Sequence, residues 1–312
     1  MTTVFHSGEI RIQKESGVDE RTHKMGNKLI RDHIIEQHKE FFEQLEYVFI
    51  ALHDNDGKPW ISLIQGETGF INSPDSKTLN IQGSIVAQDQ LGLNIQQDEA
   101  VGILGLDMGT RRRNRLNGSV KHSEGSQYLS INVEHSFGNC PKYIQLRSFA
   151  KANEPQSTET NLNSDHDSFE EFGDHDINLI QTSDTLFIAT AQQPFADLDA
   201  SHRGGKPGFI KINSNKELWF SDYPGNNFFQ TFGNIYNYPF TGLMLIDFKT
   251  GDLLLMCGQS RLEQTSHKEN DAKFIPRRVL FTLEKGIRIK QAIKGQWSNV
   301  EMSPFLDKIE DR

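Results

Sequence analysis

From residue 47 onward the chain alternates short apolar runs with turn residues. Residues 47–52 are apolar and end at His53-Asp54-Asn55-Asp56-Gly57, a tight-turn sequence between strands. Further strand-like runs follow at 60–64, 69–71, 78–81, 101–108, 111–120 and 128–135. The same texture returns at 208–212, 217–222, 241–248, 252–262 and 277–283, and Ile287, Ile289, Ile293 and Trp297 mark a closing segment. Short strands with turn signals every 8–12 residues or so predict a sandwich or barrel rather than alternating βα units. Two stretches read as helical. Leu29, Ile30, His33, Ile34, Ile35, Phe41, Phe42 and Leu45 recur at three- and four-residue steps, which predicts a helix over 25–46. Residues 177–191 read as the end of a helix running into a strand. Residues 1–24 are polar without periodicity and are expected to form an extended arm.

The strand pattern is written twice. Gly102, Asp107, Thr110 and Gly118 recur as Gly242, Asp247, Thr250 and Gly258 at a constant offset of 140. Phe49-Ile50-Ala51 recurs as Phe187-Ile188-Ala189 at 138, and Gly69-Phe70-Ile71 as Gly208-Phe209-Ile210 at 139. Offsets that drift this little describe two diverged copies of one unit, expected at 25–150 and 177–312. Between them, 151–176 is polar and acidic. Its Asp165, Asp167, Glu170, Glu171, Asp174 and Asp176, with His166 and His175, fit a solvated linker better than a metal site. A duplicated β unit can bury one face against its twin and build a site at the seam.

Charge narrows the partners. A net charge of −9 over 312 residues argues against nucleic acid or an anionic membrane as partner, so anion binding must come from local basic clusters. Cys140 and Cys257 stand at non-equivalent positions and cannot supply a four-thiolate cluster. No apolar run approaches the roughly 20 residues of a membrane span, and the N-terminus lacks a basic-then-apolar secretory pattern, so the cytoplasm is the expected compartment. No nucleophile elbow, HExxH, CxxC, Rossmann fingerprint or P-loop is present. Redox or group-transfer chemistry would therefore come from a bound cofactor.

Three polar clusters carry the candidate chemistry. Ser201-His202-Arg203-Gly204-Gly205-Lys206-Pro207-Gly208-Phe209 flanks paired glycines with cations before a strand, as for a phosphate or equally for a hairpin turn with solvated charges. Ser221-Asp222-Tyr223-Pro224-Gly225-Asn226-Asn227 can hold a planar heterocycle ahead of a helix start, or Ser221 or Asp222 can simply cap that helix. In Thr110-Arg111-Arg112-Arg113-Asn114-Arg115, strand alternation puts Arg111, Arg113 and Arg115 on one face. The second copy has Leu253-Leu254-Leu255 in this window, so the basic face answers to an anionic partner and not to the fold: a ligand phosphate or carboxylates of the other copy.

These motifs, with Gly57-Lys58-Pro59-Trp60 and Phe137-Gly138-Asn139-Cys140-Pro141-Lys142-Tyr143, resemble the pyridoxamine 5′-phosphate oxidase-related flavin-binding proteins. The resemblance implies a mainly β fold with peripheral α-helices: two tandem FMN-binding split β-barrels forming an intrachain pseudo-dimer. The flavin edge would lie along Gly208-Phe209-Ile210-Lys211, with Pro207 before it and Ser221, Asp222, Tyr223, Asn226 and Asn227 beyond. Arg203 and Lys206 would hold the phosphate, and Arg113 and Arg115 would reach across from the first copy. FMN is the implied cofactor, with FAD as its variant. The basic residues that the true oxidases carry after the second strand are replaced here by Pro224, Gly225, Asn226 and Asn227. The implied activity is thus a flavin-dependent oxidation or reduction of a small molecule other than vitamin B6 phosphate, with any electron-transfer partner a separate protein. The alternative is a non-catalytic binding or sensor module using the same groove for flavin, haem or another anionic ligand. An internal pseudo-dimer leaves a homodimer open.

Overall fold

The computed structural model describes residues 3–93, 95–121, 128–150, 166–264 and 277–309. Two N-terminal helices, α1 (Ser7–Glu15) and α2 (Asp19–Leu29), precede α3 (Glu36–Glu43). Then come β1 (Tyr47–His53), β2 (Pro59–Gln65), β3 (Ile71–Asp75), β4 (Thr78–Gln82), the short α4 (Gln88–Leu91), β5 (Ala100–Asp107), β6 (Arg112–Lys121), β7 (Tyr128–Gly138) and β8 (Leu146–Ala150). The second half holds β9 (His166–Phe169), α5 (Asp174–Thr182), β10 (Thr185–Gln193), β11 (Ala196–Gly204), β12 (Ile210–Ile212), β13 (Glu217–Ser221) and α6 (Gln230–Asn237). It ends with β14 (Phe240–Ile246), β15 (Leu253–Gln264), β16 (Arg277–Ile289) and β17 (Gln296–Glu301). The protein is mainly β and its sheets are antiparallel.

One sheet runs β2-β1-β5-β6-β7-β4-β3 and the other β11-β10-β14-β15-β16-β13-β12, with β9 added beside β16. The two sheets share one strand order. The aspartates and glycines of the repeated frame have physical tasks. Asp107 and Asp247 accept the backbone N–H of Gly109 and Lys249, both at 2.9 Å, and so close equivalent hairpin turns. Gly118 and Gly258 follow the register shifts of β6 and β15, where an added Cβ would stand 2.0 Å from the carbonyl oxygens of Asn132 and Thr282. Gly102 and Gly242 lie at the seam. A Cβ on Gly102 would stand 2.9 Å from the Ala200 nitrogen, and one on Gly242 2.6 Å from the Pro59 carbonyl oxygen.

Contacts across the seam are reciprocal: β11 lies on β5 and β1, while β2 lies on β14 and β10. At its centre the repeat-equivalent Phe49 and Phe187 stack with ring centroids 3.8 Å apart, both fully buried. Burying each ring contributes about 1.5–3 kcal/mol. One apolar core therefore spans both halves, and a second fills the sheet of the second half with Ile12 of α1 added to it.

Several elements depart from expectation. The segment expected to be an extended arm is helical, because His6 caps α1 with a reciprocal Glu9 contact and Ile12 and Phe5 find apolar cover. The single helix expected over 25–46 is broken. Arg31 exchanges backbone hydrogen bonds with Ser136 of β7 (3.1 and 2.7 Å), which takes 30–35 out of helix before α3 begins. The acidic linker ends early: β9 pairs with β16 from His166 onward and α5 starts at Asp174, while 151–165 lie outside the described residues. No group of metal-ligating side chains forms among the described residues. No helix of the described residues is long and apolar enough to cross a membrane.

Candidate functional site

A cleft of about 100 Å³ opens at the seam between the two sheets. The first half contributes Arg113 and Arg115 from β6 and the loop bearing Asn139, Cys140, Lys142 and Tyr143. The second half contributes His202, Arg203 and Gly204 at the end of β11, Phe209, and Ser221, Asp222 and Tyr223 at the end of β13. It also contributes Gly225, Asn226, Asn227, Phe229, Gln230, Thr231 and Phe232, which lead into α6. All three polar clusters of the sequence thus meet in one place.

Strand register explains the arginines. Arg113 and Arg115 pair with Leu106 and Leu104 of β5, and strand alternation sends both side chains to the seam. At the same register of the second sheet, Leu253 and Leu255 pair with Ile246 and Met244. His202 and Arg203 pair with Phe187 and Leu186, and their counterparts Leu63 and Ile64 pair with Phe49 and Val48. Leu63, Ile64, Leu253 and Leu255 are all buried in the shared core. The seam therefore has one polar end and one apolar end.

Not every candidate residue faces the cleft. Arg203, Phe209, Ser221, Asp222, Tyr223, Asn226, Asn227, Arg113 and Arg115 line it. Lys206, Pro207, Gly208 and Lys211 do not. The chain at 206–209 forms a tight turn (Phe209 N–H to Lys206 carbonyl, 2.9 Å) that sends Lys206 outward, 58% exposed and 3.6 Å from Asp307. Lys211 is exposed on the short β12, so a cofactor edge along 208–211 does not follow. Arg111 also leaves the set: it sits in the hairpin turn at φ 57° and pairs with Glu301 at 2.9 Å. Nor do Ser221 or Asp222 cap the next helix, since α6 begins only at Gln230 and has no side-chain cap.

The cations differ in their engagement. Arg115 is buried and donates to both oxygens of Asp199 and to Gln230, so carboxylates of the other copy supply its partner. Among the described residues Arg113 donates to the Cys140 and His202 carbonyls (2.9 and 3.3 Å) and approaches His202 Nδ1 at 3.4 Å. Arg203 donates to Ser201 Oγ at 2.7 Å and to the His202 carbonyl at 3.0 Å. Neither Arg113 nor Arg203 forms an ion pair with a carboxylate among the described residues. Burial first, then the neighbouring guanidinium groups, lower both from the usual arginine value. Two crowded, half-buried cations outside any ion pair among the described residues define a site that an anion relieves.

Three further polar atoms of the lining are buried without a protein partner among the described residues: His202 Nε2, Thr231 Oγ1 and Asn139 Nδ2. His202 is 2% exposed, and burial followed by the surrounding arginines lowers its pKa well below the usual value, so the ring is neutral. With Nδ1 facing the Arg113 donor, the ring proton belongs on Nε2. Burial raises the Asp222 carboxyl to about 7 against the opposing pull of Arg203 and Arg277. At the mouth, Tyr143 and Tyr223 hold their rings 5.2 Å apart, and Tyr143 Oη donates to the Pro224 carbonyl at 2.9 Å. Asn226 Nδ2 donates to Asn139 Oδ1 at 3.2 Å, a second bond between the loops of the two halves.

Sequence reasoning picked out the Asn139–Tyr143 motif without assigning it a place in the site, and gave no role to His202, Gln230 or Thr231. His202 was visible inside the basic cluster. Gln230 and Thr231 carry no local signal, because only the course of the chain from β13 to α6 brings them to the cleft.

No family profile and no curated protein matches the sequence. Similar solved structures include HupZ from Group A Streptococcus (11% identity, 36% of this chain and 90% of that one, TM-score 0.27). Another is a Clostridium acetobutylicum protein related to general stress protein 26 of Bacillus subtilis, of the pyridoxinephosphate oxidase family (12% identity, 39% and 89%, TM-score 0.28). A third is HutZ, the haem storage protein of Vibrio cholerae (11% identity, 36% and 90%, TM-score 0.26). At these TM-scores the likeness carries no argument about ligand or activity.

Proposed function

We propose that the cleft binds the phosphate of a small phosphorylated ligand, FMN by the motif resemblance, and that the chain is a flavin-dependent oxidoreductase built as two tandem split barrels with one site per chain. The observation that carries this reading is the convergence of Arg113 and Arg203, neither in an ion pair among the described residues, with His202 Nε2, Thr231 Oγ1 and Asn139 Nδ2, which have no protein partner there. A phosphate monoester offers several acceptor oxygens and negative charge, which is what this donor set lacks. The apolar Leu63, Ile64, Leu253 and Leu255 at the other end of the seam support a single site.

The donor set fits the phosphate end of FMN. A cavity of about 100 Å³ is smaller than the several hundred Å³ of an ordinary small-molecule pocket, so a flavin ring would extend from it toward the rim at Tyr143 and Tyr223. When bound, FMN supplies reversible acceptance of a hydride or of single electrons. In this reading Arg113 and Arg203 neutralise the phosphate, and Thr231, Asn139 and His202 donate hydrogen bonds. The two tyrosines exclude water from one side, and Asp222, poised near neutrality, holds or releases a proton at the cleft wall.

The small cavity favours one other reading, a non-catalytic module for a smaller phosphorylated anion. Reconstitution separates the two. Purified protein mixed with FMN should retain a yellow, quenched flavin after gel filtration, and a nicotinamide donor or electron partner should then bleach it. Retention without bleaching supports the binding module. No retention of FMN, with tight binding of small phosphate esters, removes flavin from the account.

A further inference from the structure

The N-terminal helix α1 reaches the wall of the cleft from behind. Gln13 of α1 is fully buried, and its Nε2 donates to the Phe228 carbonyl at 3.0 Å. That carbonyl lies between Asn227 and Phe229, two non-glycine residues with φ of 62° and 57°. Left-handed backbone at such residues persists only where surroundings hold it in place. The turn they form delivers Asn226, Asn227, Gln230 and Thr231 to the cleft. Phe228 itself is buried between Phe5 and Phe137, at ring distances of 5.4 and 6.4 Å.

Other contacts place α1 closely enough for this. Gly8 and Gly233 let the backbones of α1 and α6 touch, since a Cβ on Gly8 would stand 2.2 Å from the Gly233 carbonyl oxygen. His6 Nε2 meets Asn234 Oδ1 at 2.8 Å, and Asn234 donates on to Thr190 at 3.1 Å. Ile12 adds apolar burial beside them. Gln13 is the exception in its surroundings. Its Oε1 is buried with no partner among the described residues, so half of the amide is left unsatisfied in an apolar interface. Stability alone would favour an apolar side chain of the same volume there. A buried amide kept under that penalty has its reason in the one bond it makes.

We infer that Gln13 is a positioning residue of the cleft: by fixing the Phe228 carbonyl it holds the Asn227–Phe229 turn, and with it the second-half wall, in the ligand-binding arrangement. This rests on the reading of the cleft as the ligand site. The test uses the full chain with Gln13→Met, which keeps volume and removes the donor, and Gln13→Leu, which also removes it with a branched apolar side chain. Two quantities are read: FMN affinity by fluorescence quenching, and hydrogen–deuterium exchange of 226–231 without ligand. In Gln13→Met the unfolding midpoint should match or exceed wild type while FMN affinity falls about tenfold. Exchange at 226–231 should rise in both variants with the β-sheets unchanged. Wild-type exchange at 226–231 in both variants overturns the inference, as does an affinity loss that merely follows a drop in global stability. If wild-type protein binds no FMN, the flavin reading fails, and the exchange measurement still decides the role of Gln13.

Discussion

Arg115 of the first half and Asp199 of the second form a buried ion pair across the seam, with one guanidinium nitrogen donating to both carboxylate oxygens at 3.0 and 2.9 Å. Arg115 lines the cleft, and the pair joins the two sheets there. Removing either partner leaves a buried charge without compensation, a loss of about 3–5 kcal/mol. Arg115→Met and Asp199→Asn should each lower the unfolding free energy by an amount of that order in urea. Arg115→Met combined with Asp199→Asn should recover most of it, because neither charge remains. Strictly additive losses in the double variant would show that the two side chains do not act as a pair.

Arg113 and Arg203 behave differently, since neither forms an ion pair with a carboxylate among the described residues. Arg113→Met should leave stability level or raise it slightly, because a buried repulsion disappears, whereas Arg203→Met also removes an attraction to Asp222 and Asp199 and should lower stability slightly. Both should weaken binding of FMN, or of a phosphate ester, by about 10- to 100-fold, as expected for a lost charge-assisted hydrogen bond. Lys206→Ala should change nothing, given its exposed position beside Asp307. Isothermal titration with the three variants distinguishes these outcomes. Equal affinity loss in Lys206→Ala and Arg113→Met would return the phosphate to the 206–209 turn.

The contrast between Lys206 and Arg203 shows how far sequence reached. Strand positions and the repeated frame were legible because Gly102/Gly242 and Gly118/Gly258 answer to steric demands that recur wherever the fold recurs. The two arginines were legible because strand alternation fixes the side-chain direction of Arg113 and Arg115. Lys206 was misplaced because a turn, unlike a strand, has no period from which its facing can be read. Gln13 and the helical N-terminus were missed for a related reason. The apolar stripe of α1 is reduced to Ile12 and a few small contacts with α6, too sparse to register as periodicity. Most of its hold on the fold comes from partners more than 200 residues away, such as Phe228 and Asn234.

Docking of α1 should depend on pH through Glu9. Glu9 is buried with its backbone and Cγ beside Gly233, and its carboxyl accepts the His6 backbone N–H at 2.8 Å. Burial raises its pKa from 4.5 to about 8; the His6 N–H and Arg115 oppose the rise, and Asp199 and Asp197 add to it. The docked helix therefore holds a proton that the undocked helix releases above its ordinary value. Docking is strongest below about 4.5 and weakens progressively as pH rises toward 8. His6, whose own pKa is lowered by burial, is neutral across the upper part of this window. Exchange protection of residues 7–15, corrected for intrinsic rates, should fall between pH 6 and 8. Glu9→Gln should flatten the dependence, and an unchanged slope in that variant would rule Glu9 out as its source.

The two thiols give a direct measure of cleft occupancy. Cys140 is half-buried and lines the cleft, with its carbonyl accepting from Arg113. Cys257 is buried in β15 at 2% exposure, and burial raises its pKa far above the usual thiol value, so it carries negligible thiolate at neutral pH. An alkylating reagent applied to native protein should therefore modify Cys140 first, and Cys257 only on unfolding. A ligand seated between Arg113 and Arg203 covers the approach to Cys140. Saturating FMN, or a small phosphate ester if that is the ligand, should slow Cys140 alkylation several-fold while leaving the rate at Cys257 in denatured protein unchanged. Peptide mass mapping after timed quenching reads both sites in one sample. Cys140 labelling at the same rate with and without a ligand shown to bind would place that ligand elsewhere on the molecule.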